Sequence, residues 1–144
     1  MSAPQTGTPV EPAPLLERCF LFDAVEDSYD ITGIIGRIPD WLRGSYYVNG
    51  PARFERNGQR YKHWLDGDGM VCSLRFTGDG VRFTNRFVGT PKLRDEDRAG
   101  KFLYREFGTA FHGDQLHRKV MLEPPVNVSV YPYNGKLLAF GEQS

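Results

Sequence analysis

The stretch Ile38–Phe76 constrains the fold more than any other part of the chain. Asn49-Gly50, Asn57-Gly58, Asp66-Gly67 and Asp68-Gly69 each join a residue tolerant of left-handed backbone to a glycine, the chemistry that tight turns demand. Between them lie short aromatic or β-branched runs such as Ser45–Val48 and Tyr61–Leu65. Short strands joined by tight turns predict an all-β architecture of antiparallel strands.

The flanking segments extend that pattern. Asp30–Ile38 predicts a strand halted by Pro39, and Asp40–Arg43 a single helical turn. In Met70–Phe76, Met70, Cys72, Leu74 and Phe76 alternate with Val71, Ser73 and Arg75, as in a strand. Thr77–Gly80 is a turn, and Val81–Val88 returns as the second arm of a hairpin. Arg75, Arg82 and Arg86 fit its solvated or edge-guarding face. The mixed charges of Lys92–Arg98 predict a solvated loop or short surface helix. A second hairpin pairs Val126–Tyr133 with Lys136–Glu142 around Asn134-Gly135. A type I′ turn there sets Tyr131 opposite Leu138, Ser129 opposite Phe140 and Asn127 opposite Glu142. Both surfaces of this hairpin are apolar, which predicts an inner element, and Glu142 then stands where a solvated carboxylate does not belong.

Composition excludes several classes of function. Lys+Arg and Asp+Glu balance at 18 each, so no charge excess draws the chain to nucleic acid or an anionic membrane. Cys19 and Cys72 do not make a disulfide framework, and no N-terminal apolar segment resembles a signal peptide; the expectation is a cytoplasmic protein. No run approaches the roughly 20 apolar residues of a membrane span. Met1–Pro14 holds four of the ten prolines and predicts a flexible tail, with the folded portion over 15–144.

Three pieces carry a resemblance by their order and spacing: Pro39-x-Trp41-Leu42-x-Gly44, then Asn49-Gly50-Pro51, then the run from His63 to Met70, HWLDGDGM. Together they resemble the N-terminal signature of the carotenoid cleavage oxygenases, which include apocarotenoid and stilbene dioxygenases and the retinoid isomerase of the retinal pigment epithelium. The resemblance implies a seven-bladed β-propeller that holds a non-haem Fe(II) on four histidines at its axis. A four-stranded blade takes roughly 40–45 residues, so 144 residues supply the first blades of an incomplete propeller, an N-terminal fragment. It further implies cleavage of a conjugated carbon–carbon double bond in a carotenoid, apocarotenoid or stilbene, with O2 as co-substrate. The alternatives are a non-catalytic truncated β module binding an apolar ligand or partner, and a retinoid-isomerase-like activity.

Glu142 and Phe107 are the candidate site residues. Pattern alone favours a strand-end Glu142 reaching solvent; the resemblance turns it into a carboxylate that accepts the Nδ1–H of an iron-binding histidine and fixes its tautomer. Glu106-Phe107-Gly108-Thr109 also resembles the family, and by that resemblance Phe107 lines the substrate cavity, although an ordinary core aromatic fits it equally well. His63 lies inside the signature at a position the family does not use for metal. His112 and His117, five apart, suit neither a helical nor a strand face and are assigned structural or surface roles. By the resemblance the iron ligands lie beyond Ser144. Asp66-Gly67-Asp68-Gly69 lacks the later ligands of a calcium loop, and Asn127-Val128-Ser129 is a chance glycosylation sequon. The polar segment His112–Met121 replaces the aromatic stretch with which animal members touch membrane, so peripheral membrane contact has only weak support.

Overall fold

The computed structural model describes residues 24–78, 80–116, 119 and 122–142. The predicted tail, Cys19 and His117 lie outside these residues. A four-stranded antiparallel sheet organises the molecule, in the order β1-β6-β5-β2. Its strands are β1 (Asp27–Ile31), β2 (Gly44–Arg53), β5 (Asp68–Phe76) and β6 (Val81–Phe87). Two small hairpins accompany it, β3 (Glu55–Arg56) with β4 (Gln59–Arg60) and β7 (Ser129–Tyr133) with β8 (Lys136–Phe140). Helix α1 covers Pro91–Ala99, and a 3-10 turn covers Trp64–Asp66.

The β5–β6 hairpin forms as its alternation predicts, with Cys72 opposite Asn85 and Leu74 opposite Phe83. The C-terminal hairpin takes the predicted register, Tyr131 opposite Leu138 and Ser129 opposite Phe140. Asn134 and Gly135 both have positive φ, 46° and 73°, as a type I′ turn requires. Asn57 and Gly58 make the same turn between β3 and β4, with φ of 48° and 79°.

The other glycine dipeptides correct the turn reading. Asn49-Gly50 lies within β2 and Asp68-Gly69 within β5, and Gly67, which caps the 3-10 turn, has a φ of −64°. At Gly67 and Gly69 glycine serves close approach. A Cβ on Gly69 would run into the Val126 carbonyl, and one on Gly67 into the Phe54 ring. The strand expected over Asp30–Ile38 is displaced to Asp27–Ile31, where the backbone pairs with β6; Ile34 and Ile35 are exposed beyond it. Asp40–Arg43 contributes only a turn, closed by the Leu42 amide donating to the Pro39 carbonyl at 3.0 Å.

Helix α1 is built as its sequence directs. Thr90 caps its N-terminus through a bond from the Leu93 amide, Pro91 occupies the first turn, and Gly100 ends it in the left-handed region at φ 62°. Its setting differs from the expectation, because Lys92 and Glu96 are fully buried. The apolar core, which includes Ala52, Phe54, Tyr61, Met70, Leu93 and Phe102, gathers between this helix and the ends of β2 and β5. Tyr61 and Phe102 stack there with ring centroids 3.9 Å apart.

Candidate functional site

The signature run His63–Met70 acts as a plate on which two distant segments are seated. The first is the turn Glu106–Thr109, closed by the Glu106 amide donating to the Thr109 carbonyl at 2.9 Å. Fully buried Asp66 holds it: the Gly108 amide donates to Oδ1 at 2.9 Å and the Thr109 hydroxyl to Oδ2 at 2.6 Å. Gly108 has no room for a Cβ because His63 lies against it. The second segment leads into β7. Its Asn127 side-chain amide donates to the carbonyls of Leu65 at 2.7 Å and Gly67 at 2.8 Å, and the Gly69 amide donates to the Pro125 carbonyl at 2.9 Å. From β2, the Asn49 amide donates to the carbonyls of Val126 and Ser129 at 3.0 and 3.1 Å. Every donor in this set meets a backbone carbonyl or a carboxylate, so the two segments are fixed in register by direction as well as by contact.

Where these segments meet, a cavity of about 30 Å³ is lined by Leu65, Glu106, Phe107, Asn127, Val128 and Glu142, among others. The two residues singled out in sequence, Phe107 and Glu142, thus converge on one cavity. It has room for water, whereas ligand pockets for small molecules run to roughly 300–1,000 Å³. Phe107 is 66% exposed and its ring meets the edge of His63 at 5.4 Å. Glu142 is solvent-exposed within this chain. The hairpin before it is exposed on both surfaces, including Val128, Leu137, Leu138 and Phe140; the inner position expected for it is not reached among the described residues, because nothing in them covers it.

Behind the cavity lies a buried ionic cluster that the sequence reading did not find. An ammonium has three protons to donate, and those of Lys92 reach Tyr61 Oη at 2.6 Å, Asp68 Oδ1 at 2.7 Å and Glu96 Oε2 at 3.1 Å. Arg56 donates to Asp68 Oδ2 at 2.7 Å and to Asp97 at 3.0 Å. Glu96 Oε1 accepts from the amides of Leu103 and Tyr104 at 3.0 and 3.2 Å. Glu106 approaches the ammonium only to 3.5 Å, and its Oε1 is sealed from solvent with no hydrogen bond.

These contacts set the charge states. Burial works against the Lys92 charge, but the carboxylates packed against it, Asp68 foremost, outweigh it and hold its pKa above the ordinary value. Burial likewise opposes the Arg56 charge, and Asp68 and Glu96 overcome it. Burial pushes the Glu106 carboxyl up from 4.5 to about 9; Lys92 pulls it down, while Asp68, Glu96 and Asp66 push it further up. The only trace of the cluster in sequence is Leu93, the one leucine of a charged segment, which marks the inward face of α1 and carries its neighbour Lys92 with it.

His63 is structural: its Nδ1 accepts from the Leu65 amide at 3.2 Å, and its ring also lies near Trp64, at 6.1 Å. His112 is exposed. Among the described residues no group of three or more His, Cys, Asp or Glu is placed to hold a metal ion. Asp68 and Glu96 do not fit that task, since Lys92, Arg56, Tyr61 and backbone amides already occupy them.

Residues 22–144 match the family model described as retinal pigment epithelial membrane protein, RPE65. The chain belongs to this family, the carotenoid cleavage oxygenases. It is 37% identical over 121 residues to the apocarotenoid-15,15'-oxygenase of Synechocystis, covering 81% of this chain and 25% of the relative. Similarity to the carotenoid isomerooxygenase of Galleria mellonella is 28% over 120 residues, covering 76% and 23%. Among solved structures, a chimera of the apocarotenoid oxygenase and RPE65 superposes with a TM-score of 0.77 at 33% identity, covering 86% of this chain and 26% of the other. Cobalt-substituted Synechocystis apocarotenoid oxygenase gives 0.74 at 32%, covering 85% and 26%. The chain therefore spans about a quarter of the length of these carotenoid-oxygenase relatives. Its sheets are those of an incomplete all-β propeller.

Proposed function

We propose that this chain is the N-terminal part of a non-haem Fe(II) oxygenase that cleaves a conjugated double bond of a carotenoid or apocarotenoid with O2. Family membership supports the reaction class, and the relatives' names support the polyene. The observation that carries the reading to residues is the convergence of Phe107 and Glu142 on one cavity, on segments tied to the signature plate. In this reading Phe107 faces the substrate tunnel, and its exposed ring is available to a flat apolar polyene. Glu142 is an acceptor poised at the end of β8, where it orients a histidine that the rest of the protein supplies. Iron, once bound to those histidines, supplies the activation of O2; this chain contributes the walls and the supporting carboxylate.

The test is made on the full-length protein. Fe(II) and an apocarotenoid should yield two carbonyl products, chelation should abolish turnover, and Glu142→Gln should weaken metal binding by about 10- to 100-fold. Unchanged metal affinity in that variant would remove Glu142 from the site. A second reading, coupled cleavage and isomerisation, is favoured by the similarity to carotenoid isomerooxygenases; the double-bond geometry of the products distinguishes it.

A further inference from the structure

Glu106 meets the cations of the buried cluster only through an ion pair of 3.5 Å to Lys92 that makes no hydrogen bond. All three Lys92 protons are committed elsewhere, to Tyr61, Asp68 and Glu96, and Arg56 is committed to Asp68 and Asp97. Among the described residues, four carboxyls, from Asp66, Asp68, Glu96 and Glu106, are gathered behind the cavity with Lys92 and Arg56 as the cations hydrogen-bonded within the cluster. Asp66 is served by a hydroxyl and an amide, and Asp68 and Glu96 by cations. A fourth buried carboxylate whose sealed Oε1 accepts no hydrogen bond is poorly compensated for its desolvation, and such a group neutralises instead. Oε1 faces the Lys92 ammonium, so the proton belongs on Oε2. The same side chain lines the cavity with Glu142.

We propose that Glu106 is a positioning residue for Glu142: a neutral carboxylic acid in the folded protein that donates its one hydrogen bond into the cavity the two side chains share. A carboxylic acid beside a carboxylate divides the roles of donor and acceptor between two otherwise identical groups. Across a space of about 30 Å³ the bond runs directly or through a single water. It holds the Glu142 carboxylate in one orientation. This goes beyond the role proposed for Glu142 and stands whether or not that carboxylate supports a histidine.

Infrared difference spectroscopy of the full-length protein at neutral pH tests it. The wild-type protein should show the carbonyl band of a protonated carboxyl that is missing from Glu106→Gln, and in Glu142→Gln that band should persist at a shifted frequency. Absence of the band from wild type would overturn the neutral acid. A band that Glu142→Gln leaves unmoved would overturn the contact. Neither result depends on metal binding, so a failure of the iron reading is separately visible. Glu106→Gln keeps a donor and should retain the wild-type metal affinity, whereas Glu106→Leu should lower it several-fold; if Glu142→Gln lowers the affinity and Glu106→Leu does not, the positioning role is overturned.

Discussion

Lys92 and Glu96 stand four apart in a run of alternating charge, the pattern of a solvated helix face, yet both are sealed from solvent. What reverses the expectation is the set of partners that the run cannot display: Asp68 from β5, Arg56 from β3 and Tyr61 from the loop after β4. Removing one partner from such a set leaves an uncompensated charge. Lys92→Ala should destabilise the fold by about 3–5 kcal/mol, measured by denaturant unfolding. Lys92→Met, which removes the same charge but fills the space, should fare no better, because Asp68 and Glu96 would remain. Glu106 gives the molecule a pH dependence of definite sign. Its folded pKa, about 9, is raised above the ordinary 4.5, so between those values the folded state binds more protons than the unfolded. This contribution is complete below pH 4.5 and falls by about 1.4 kcal/mol per pH unit as pH rises, until the folded group titrates as well. Unfolding free energies measured across that window should show the slope in wild type and lack it in Glu106→Gln.

At the level of elements, the same dipeptide chemistry leads to different outcomes. Asn57-Gly58 and Asn134-Gly135 turn the chain, whereas Asn49-Gly50 and Asp68-Gly69 run straight through strands. Local propensity is equal in the two cases, and pairing decides: β2 and β5 continue their ladder across Gly50 and Gly69, with Gly50 opposite Met70 and Pro51 opposite Gly69. Gly69 is needed because β5 lies in contact with the Pro125–Val126 backbone. Gly69→Ala should cost about 1–3 kcal/mol or more through overpacking, and the loss should appear as a lower Tm. Loosening of the segment before β7 should appear as faster amide exchange at Val128, whose amide donates to the Phe140 carbonyl. Thr90→Ala should cost about 1 kcal/mol by removing the cap of α1, and Thr90→Ser should recover most of it.

Taken as a whole, the described residues leave sheet edges and apolar faces uncovered among themselves. Among the described residues β1 and β2 are the outer strands of the main sheet, and the β7–β8 hairpin exposes Tyr131, Leu137, Leu138 and Phe140. Open sheet edges and apolar faces pair with whatever is available. Expressed as residues 1–144 alone, the chain should have a low soluble fraction and should scatter light at concentrations where the longer protein proposed above stays monodisperse. Isolated soluble monomers of the short chain would show that these faces need no cover. No helix among the described residues is long and apolar enough to cross a membrane.

Sequence by itself determined the antiparallel β class, the β5–β6 and β7–β8 hairpins, and the family, through motifs whose spacing survives translation into structure. These are short-range properties: alternation and turn residues act within a few residues of one another. Only the tertiary structure decided which glycines turn and which make room, that a charged helix faces inward, and that Glu106, Phe107 and Glu142 share a cavity. Each of those depends on contacts between segments far apart in the chain. Burial, which sets the cost of a charge or a Cβ, is a property of the packed neighbours rather than of the residue itself.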